Sequence, residues 1–335
     1  MDNLLLKQLL KEYDQKRQSA ILDSEKRKQT LFSQNKRLAE IEKNLNLISL
    51  NTVKSILTTD QSKKEELLED LKKQTNALNE EKEKILNKID INNDYFSPQF
   101  ECKICEDTGY TQLQGNLALC NCIKQKIFNI VYNKSNIGNL EKENFNTFNE
   151  RLYSDKSNPE LYNTDISPRE NILKIKEKAF TFIENFDDPD EKNLIFTGGT
   201  GLGKTFLSNC IANEVLKQGK TVLYQTAPVM LDSIIDEKFN KSNSNKILDN
   251  ILNVDLLIID DLGTENINSL KLTELFTIIN TRLLNQNHKI TKTIISTNLD
   301  VNNIFSIYND RIGSRLAGFY KFLRFYGDDI RFIKK

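Results

Sequence analysis

The sequence predicts an α/β fold in which helices cover a parallel sheet, joined to a helical arm and a small cysteine-bearing module. Three observations predict it. Short apolar runs alternate with helix-length amphipathic segments from Asn193 onward, a glycine-rich stretch links the first run to the first of those helices, and the chain before Pro98 contains neither glycine nor proline. At 335 residues the chain exceeds what one hydrophobic core usually organises, so two or three domains are expected.

Residues 1–97 carry 18 Lys/Arg against 17 Asp/Glu, the composition of exposed helix. Steps of mostly three and four residues connect Leu6, Leu10, Tyr13, Ala20, Leu31, Leu38, Ile41, Leu45 and Ile48, and a second seam joins Leu68, Leu71, Leu78, Ile85 and Ile89. Polar residues 58–62 separate the seams and offer Asp60 or Ser62 as an N-cap. That favours an antiparallel hairpin and leaves a dimeric coiled coil open. Residues 98–135 follow as the cysteine module with a helix over 124–134, and 136–170 as a polar linker and entry segment. Residues 171–335 form the α/β domain. There the patterns predict helices over 172–186, 204–217 and 271–284, and strands over 193–197, 221–226, 255–260 and 293–297.

Gly198, Gly199, Thr200, Gly201, Leu202, Gly203, Lys204 and Thr205 spell G-x-x-x-x-G-K-[ST] between a predicted strand and a predicted helix, with Phe206 next in that helix. Such a loop curls backbone N–H groups around phosphate oxygens at a helix N-terminus. Lys204 then reaches the β and γ phosphates, and the Thr205 hydroxyl ligates Mg²⁺. The expected cofactors are ATP and Mg²⁺. A second acidic element is required on a neighbouring strand, and four apolar residues ending in Asp260-Asp261 supply it. Asp260 is the Mg²⁺ partner and Asp261 the group that polarises the attacking water. The next strand ends in Ser296-Thr297-Asn298, where the Asn298 amide could orient water or a phosphate oxygen without charge. Arg311 and Arg315 stand four apart on a predicted helix, so either could serve a neighbouring subunit's ATP as an arginine finger, or simply pair with a local carboxylate.

Cys102-x₂-Cys105 and, 14 residues on, Cys120-x-Cys122 provide two ligand pairs able to close a tetrahedral thiolate site. Zinc fits best, and an iron–sulfur cluster would use the same residues. Cys210, behind the glycine-rich loop, reads as core packing, and the single histidine, His288, receives no role. Charge is balanced at 47 basic against 47 acidic residues, which gives no global argument for a nucleic-acid or membrane surface. No apolar run is long enough to span a bilayer and the first residues do not form a signal peptide, so a cytoplasmic location is expected.

Taken together, residues 198–205, Asp260-Asp261-Leu262-Gly263-Thr264-Glu265, Ser296-Thr297-Asn298-Leu299, residues 310–316 and Gly327-Asp328-Asp329-Ile330-Arg331 resemble the DnaC/DnaI replicative-helicase loaders and their IstB transposition relatives. Asn144-Phe145-Asn146-Thr147-Phe148 is similar to the segment that opens the family's ATPase module. The cysteine cluster with Asp107-Thr108-Gly109-Tyr110 resembles the zinc-bearing region of loaders from Gram-positive bacteria. The resemblance implies an AAA+ P-loop ATPase domain without a typical C-terminal lid. It also implies Arg311 as the arginine finger with Arg315 its companion, and Arg331 as a sensor-like residue near the nucleotide. The implied partners are the replicative DNA helicase, single-stranded DNA and further copies of the chain in an ATP-dependent homo-oligomer. An acid at Asp261, where vigorous AAA+ ATPases carry Glu, implies slow hydrolysis suited to a switch. Two alternatives stand beside the loader: an IstB-like transposition helper, and a zinc-dependent coiled-coil adaptor in which nucleotide is structural.

Overall fold

The computed structural model describes residues 3–58, 61–113, 115–132, 142–239, 246–284 and 289–332. The chain divides into two compact units, one of residues 4–118 and one from residue 119 onward.

The first unit begins with α1 (Asn3–Gln34), α2 (Lys36–Thr58) and α3 (Gln61–Lys88). The long first arm expected from the seam is therefore two helices. Asn35 interrupts it, and its side-chain oxygen accepts the Leu38 N–H at 3.1 Å as an N-cap does. Helices α2 and α3 pair within the chain: Arg37 forks onto Glu81 at 2.7 and 2.9 Å, and Lys82 meets Glu42 at 2.8 Å. The Arg37 pair is exposed, and such pairs contribute little. Burial carries the packing, through Leu31, Leu38 and Leu86 with Phe32, Ile85, Tyr95 and Phe96 around them. Helix α1 lies along the chain after α3, where Arg27 donates to the carbonyls of Tyr95 (3.0 Å) and Ser97 (2.9 Å). The Asp60 cap and the side chain of Ser62 fall outside the described residues. Two short strands, β1 (Tyr110–Leu113) and β2 (Asn116–Leu119), form a hairpin inside the cysteine segment.

The second unit opens with α4 (Asn121–Val131), three residues ahead of the helix expected over 124–134, whose last two residues lie outside the described ones. The polar entry segment contains a 3₁₀ turn at Glu150–Leu152 and a single-turn helix α5 (Pro159–Tyr162), followed by α6 (Pro168–Glu184), capped by the Ser167 hydroxyl. Then come β3 (Asn193–Thr197), α7 (Lys204–Lys217), β4 (Val222–Thr226), α8 (Ala227–Phe239), α9 (Lys246–Asn253), β5 (Leu256–Leu262), α10 (Ser269–Leu284), β6 (Lys292–Thr297), α11 (Val301–Ile307), α12 (Asn309–Phe319) and β7 (Tyr320–Arg324).

The five strands β3 to β7 form one parallel sheet in the order β4-β5-β6-β3-β7. Strand β3 and the first half of β5 are buried, which is why residues 194–196 and 256–259 read as unbroken apolar runs rather than alternating ones. Phe182, Leu194, Phe196, Ile211 and Ile258 belong to one buried cluster; Ile195, Leu257, Ile259, Ile278 and Ile312 belong to the other. Successive residues of one strand thus serve opposite faces. Edge strand β4 is partly closed by Gln125 of α4, whose amide exchanges hydrogen bonds with the N–H (2.6 Å) and carbonyl (3.0 Å) of Val222.

Three differences from the sequence reading bear on the site. Strand β5 does not end at Asp260: it continues to Leu262 through a register shift, with Asp261 in a left-handed conformation at φ 54°. Strand β7, absent from that reading, pairs with β3 over its full length and gives the sheet its fifth member. Helices α8, α9 and α11 were likewise not anticipated.

Candidate nucleotide site and cysteine cluster

The glycine-rich loop leaves the carboxyl end of β3 and enters α7 at Lys204, the placement its motif requires. Two of its glycines are dictated by positive φ, reinforced at Gly198 by a neighbouring backbone carbonyl. At Gly198 (φ 138°) a Cβ would strike the Phe325 carbonyl, and at Gly201 (φ 70°) it would strike the Asp329 carboxylate. The loop is also tied from outside: Tyr153 donates its hydroxyl to the Leu202 carbonyl at 3.0 Å, the Phe325 N–H reaches Thr197 O at 2.7 Å and the Ile330 N–H reaches Gly201 O at 2.9 Å. A pocket of about 460 Å³ borders Gly198, Gly199 and Asn298, with Tyr162, Phe322 and Tyr326 among its walls, so the loop has an accessible side with room for part of a nucleotide.

Lys204 is 6% exposed and donates to the carbonyls of Gly198 (2.7 Å) and Gly199 (2.6 Å) and to Asn298 Oδ1 (2.8 Å). Burial lowers its pKa, while Asp261 and Asp260 act the other way. The predicted lysine and the predicted polar residue of the neighbouring strand therefore meet directly. Thr205 Oγ1 lies 3.2 Å from Asp260 Oδ2, so the two groups assigned to Mg²⁺ also meet. The same oxygen accepts the Tyr224 hydroxyl at 2.7 Å, and Asp260 Oδ1 accepts from Ser296 Oγ and, at 3.1 Å, from the Asp261 N–H. Asp260 is held on four sides. Asp261 is half-buried; burial first, then Asp260, raises its pKa, with Lys204 opposing. Gly199, Thr200 and Leu202 complete the loop, Gly203 occupies the N-cap position of α7, and Phe206 packs against Phe148 with ring centroids 6.1 Å apart.

The opening segment resembling the family's module reaches this site. Asn144 accepts the N–H groups of Asn146 (2.9 Å) and Thr147 (3.3 Å), Phe145 stacks on Phe180 at 4.4 Å, and Phe148 meets Phe206. Arg331 forks onto Asp329, the carboxylate beside Gly201, so it lies next to the loop but faces a side chain of its own turn. Arg311 is exposed on α12 and Arg315 half-buried on the same helix; among the described residues neither hydrogen-bonds to the cradle of its own chain. Cys210 is fully buried in α7, and burial pushes its thiol up to about 12, the state of an inert packing residue. His288 is outside the described residues.

Sequence reasoning missed Tyr224, Ser296, Tyr153 and Asp329 as neighbours of the cradle. Two of them left a signal: Tyr224 is a polar-tipped residue in the apolar strand whose last residue, Thr226, pairs with Asp260 in register. Ser296, opposite Phe196 on β6, was visible as a polar residue in an apolar run.

The Cys102, Cys105, Cys120 and Cys122 sulfurs all lie within 4.8 Å of one another. A tetrahedral site with Zn–S bonds near 2.3 Å needs sulfurs about 3.8 Å apart, so the four thiols fit the ion with little adjustment. The turn joining the first pair is built for it. Asp107, buried, accepts the N–H groups of Glu101 and Cys102 at 2.9 Å each, and Glu106 and Asp107 both adopt left-handed backbone.

Residues 169–314 match the family described as IstB-like ATP binding protein. The chain is 33% identical over 135 residues to the replicative helicase loader DnaC of Escherichia coli (strain K12), an alignment covering 38% of this chain and 54% of that protein. The chain thus spans about half the length of the curated relatives it matches. Among solved structures, the crystal structure of the DnaC helicase loader aligns with a TM-score of 0.46 at 21% identity, over 56% of this chain and 99% of that one. The crystal structure of the DnaI aligns at 0.42 and 21%, over 53% and 95%. No helix among the described residues is long and apolar enough to cross a membrane.

Proposed function

Because residues 169–314 are an IstB-like domain and the chain is homologous to the DnaC helicase loaders, we propose that this protein is an ATP-dependent loader of a replicative DNA helicase. The observation that carries the nucleotide half of the proposal is the convergence of Lys204 on Asn298 and of Thr205 on Asp260, two bonds that join the start of α7 to the end of β6 and to β5. Such a cradle matches a triphosphate with its magnesium ion, which would be held by Thr205 and Asp260 and would supply neutralisation of phosphate charge. Lys204 binds the β and γ phosphates, Asn298 orients the terminal phosphate or its water, and Asp261 accepts the proton of that water.

Asp261 is short and half-buried, and a rate-limited ATPase acting as a switch is consistent with that choice of base. Arg311, exposed on α12 and unsuited to its own chain's cradle, is assigned to the nucleotide of an adjacent copy, with Arg315 beside it and Arg331 sensing the bound phosphate from the Gly201 side. The cysteine cluster is read as a zinc site that folds its own segment, and the helical unit as the part that holds the helicase. Single-stranded DNA is taken up by the assembled, ATP-bound form.

The test is co-assembly of the full chain with the replicative helicase of its own host, followed by hydrolysis measurements. Wild-type protein should form the complex in ATP and Mg²⁺. Arg311→Ala should still bind nucleotide but lose the hydrolysis that assembly stimulates. Failure to bind the helicase with nucleotide present, or capture of a transposase in its place, refutes the loader reading.

A further inference from the structure

Three groups beyond the cradle connect its acidic turn to the helix that carries Arg311. Tyr308, 1% exposed between α11 and α12, donates its hydroxyl to Glu265, which is 7% exposed. The other Glu265 oxygen accepts the Gly263 N–H at 2.9 Å. Burial, reinforced by Glu265, raises the Tyr308 pKa, so the hydroxyl remains a proton donor at neutral pH. Inside the turn the Asp261 carbonyl accepts from Thr264 through its hydroxyl (2.8 Å) and its N–H (3.3 Å). The neighbouring strand is tied in as well, because Thr297 Oγ1 donates to the Leu262 carbonyl at 2.6 Å and Leu299 packs against Gly263.

On its far side Tyr308 is followed at once by Asn309, in left-handed backbone, whose side chain accepts the N–H groups of Arg311 (3.1 Å) and Ile312 (3.2 Å) and so starts α12. One buried bond therefore separates the turn of Asp261 from the first turn of the arginine helix. A carboxylate and a phenol are costly to bury, and an apolar pair would pack the same space. What the polar pair adds is a fixed distance and direction.

We propose that Tyr308 and Glu265 are positioning residues for ATP hydrolysis: their bond closes the 261–265 turn, holds Asp261 in its left-handed conformation and keeps it in register with the helix bearing Arg311. The inference rests on the ATPase reading above. Neither residue touches nucleotide; both act through Asp261.

The experiment measures ATP hydrolysis by the full chain over a range of ATP concentrations with Mg²⁺. Tyr308→Phe keeps the buried ring and removes the hydroxyl. It should lower kcat about ten- to a hundredfold while KM for ATP stays within about twofold. Should that variant melt early, Glu265→Gln, which keeps an oxygen for Gly263, must give the same split. In an Asp261→Asn background, Tyr308→Phe should cost nothing further, since the group it positions is gone. A kcat within about twofold of wild type, or losses that multiply in the double variant, overturns the proposal. Wild-type protein that binds ATP but hydrolyses none would remove the ATPase reading itself, a result separable from a normal wild type with an unaffected Tyr308→Phe.

Discussion

Lys204→Met removes an ammonium that donates at 2.6–2.8 Å to Gly198 O, Gly199 O and Asn298 Oδ1. A bound triphosphate competes for that same group. At an effective dielectric near 20, one phosphate charge about 4 Å away contributes about 4 kcal/mol, and two contribute about 8. Surrendering three hydrogen bonds to neutral oxygens offsets about 1 to 1.5 kcal/mol each, or about 4 in all. The remaining 4 kcal/mol or so corresponds to nearly three orders of magnitude in affinity, at about 1.4 kcal/mol per decade. Isothermal titration of Mg²⁺·ATP into wild type and variant at one ionic strength reads this directly. Melting curves on the nucleotide-free proteins check that the fold is retained and separate any loss from the three orphaned oxygens from the loss of affinity. Binding weakened by less than tenfold would mean that Lys204 is not the phosphate contact, and the assignment of the loop would fall with it.

Further expectations concern protons, metal and core. Asp261 has its pKa raised above the ordinary 3.8, so hydrolysis should fall on acidification through that raised value, and the slower residual hydrolysis of Asp261→Asn should lack that limb. The sign for stability is opposite: ionised Asp261 opposes folding above its folded pKa, so Asp261→Asn should raise the melting temperature at neutral pH, the gain vanishing as pH falls toward 3.8. Metal analysis should find one zinc per chain, lost in Cys105→Ser or with chelator, and hydrogen exchange over residues 100–122 should then accelerate sharply, since such sites contribute about 10 kcal/mol to local folding; a metal-free chain with unchanged exchange would refute the site. Arg282, 2% exposed and lowered by burial to about 10, donates to the carbonyls of Ile251 (2.7 Å), Val254 (2.9 Å) and Lys292 (2.7 Å). Arg282→Met should cost about 3 kcal/mol in urea unfolding by orphaning them, whereas a loss under about 1 kcal/mol would show that these oxygens find other donors.

What could be read in advance was whatever the chain declares locally. The run Asn193–Thr197, the glycine-rich loop and the helix Lys204–Lys217 are contiguous, so strand, turn and helix signals reinforce one another and the boundaries agree with the structure. Strand β7 failed to register for the opposite reason. It follows α12 without a glycine or proline, and Lys321 and Arg324 break its apolar character because an edge strand need not be buried on both faces. The break at Asn35 was hidden by a seam that steps across it on both sides, although Asn is a residue that caps helices. The left-handed Asp261 could not be foreseen, since Asp at the end of an apolar run looks like an ordinary strand terminus; the conformation is imposed by Thr264, Glu265 and Tyr308 from outside the run. Contacts such as Asp329 beside Gly201 join residues far apart in the chain and leave no periodicity to detect.

The edge strand β7 has a practical corollary. It runs beside the strand that launches the phosphate loop, and its continuation grips that loop at Thr197 and again at Gly201. Residues 325–330 therefore act as a tether on the glycine-rich loop: a pull applied to that segment reaches the loop backbone without touching a liganding side chain.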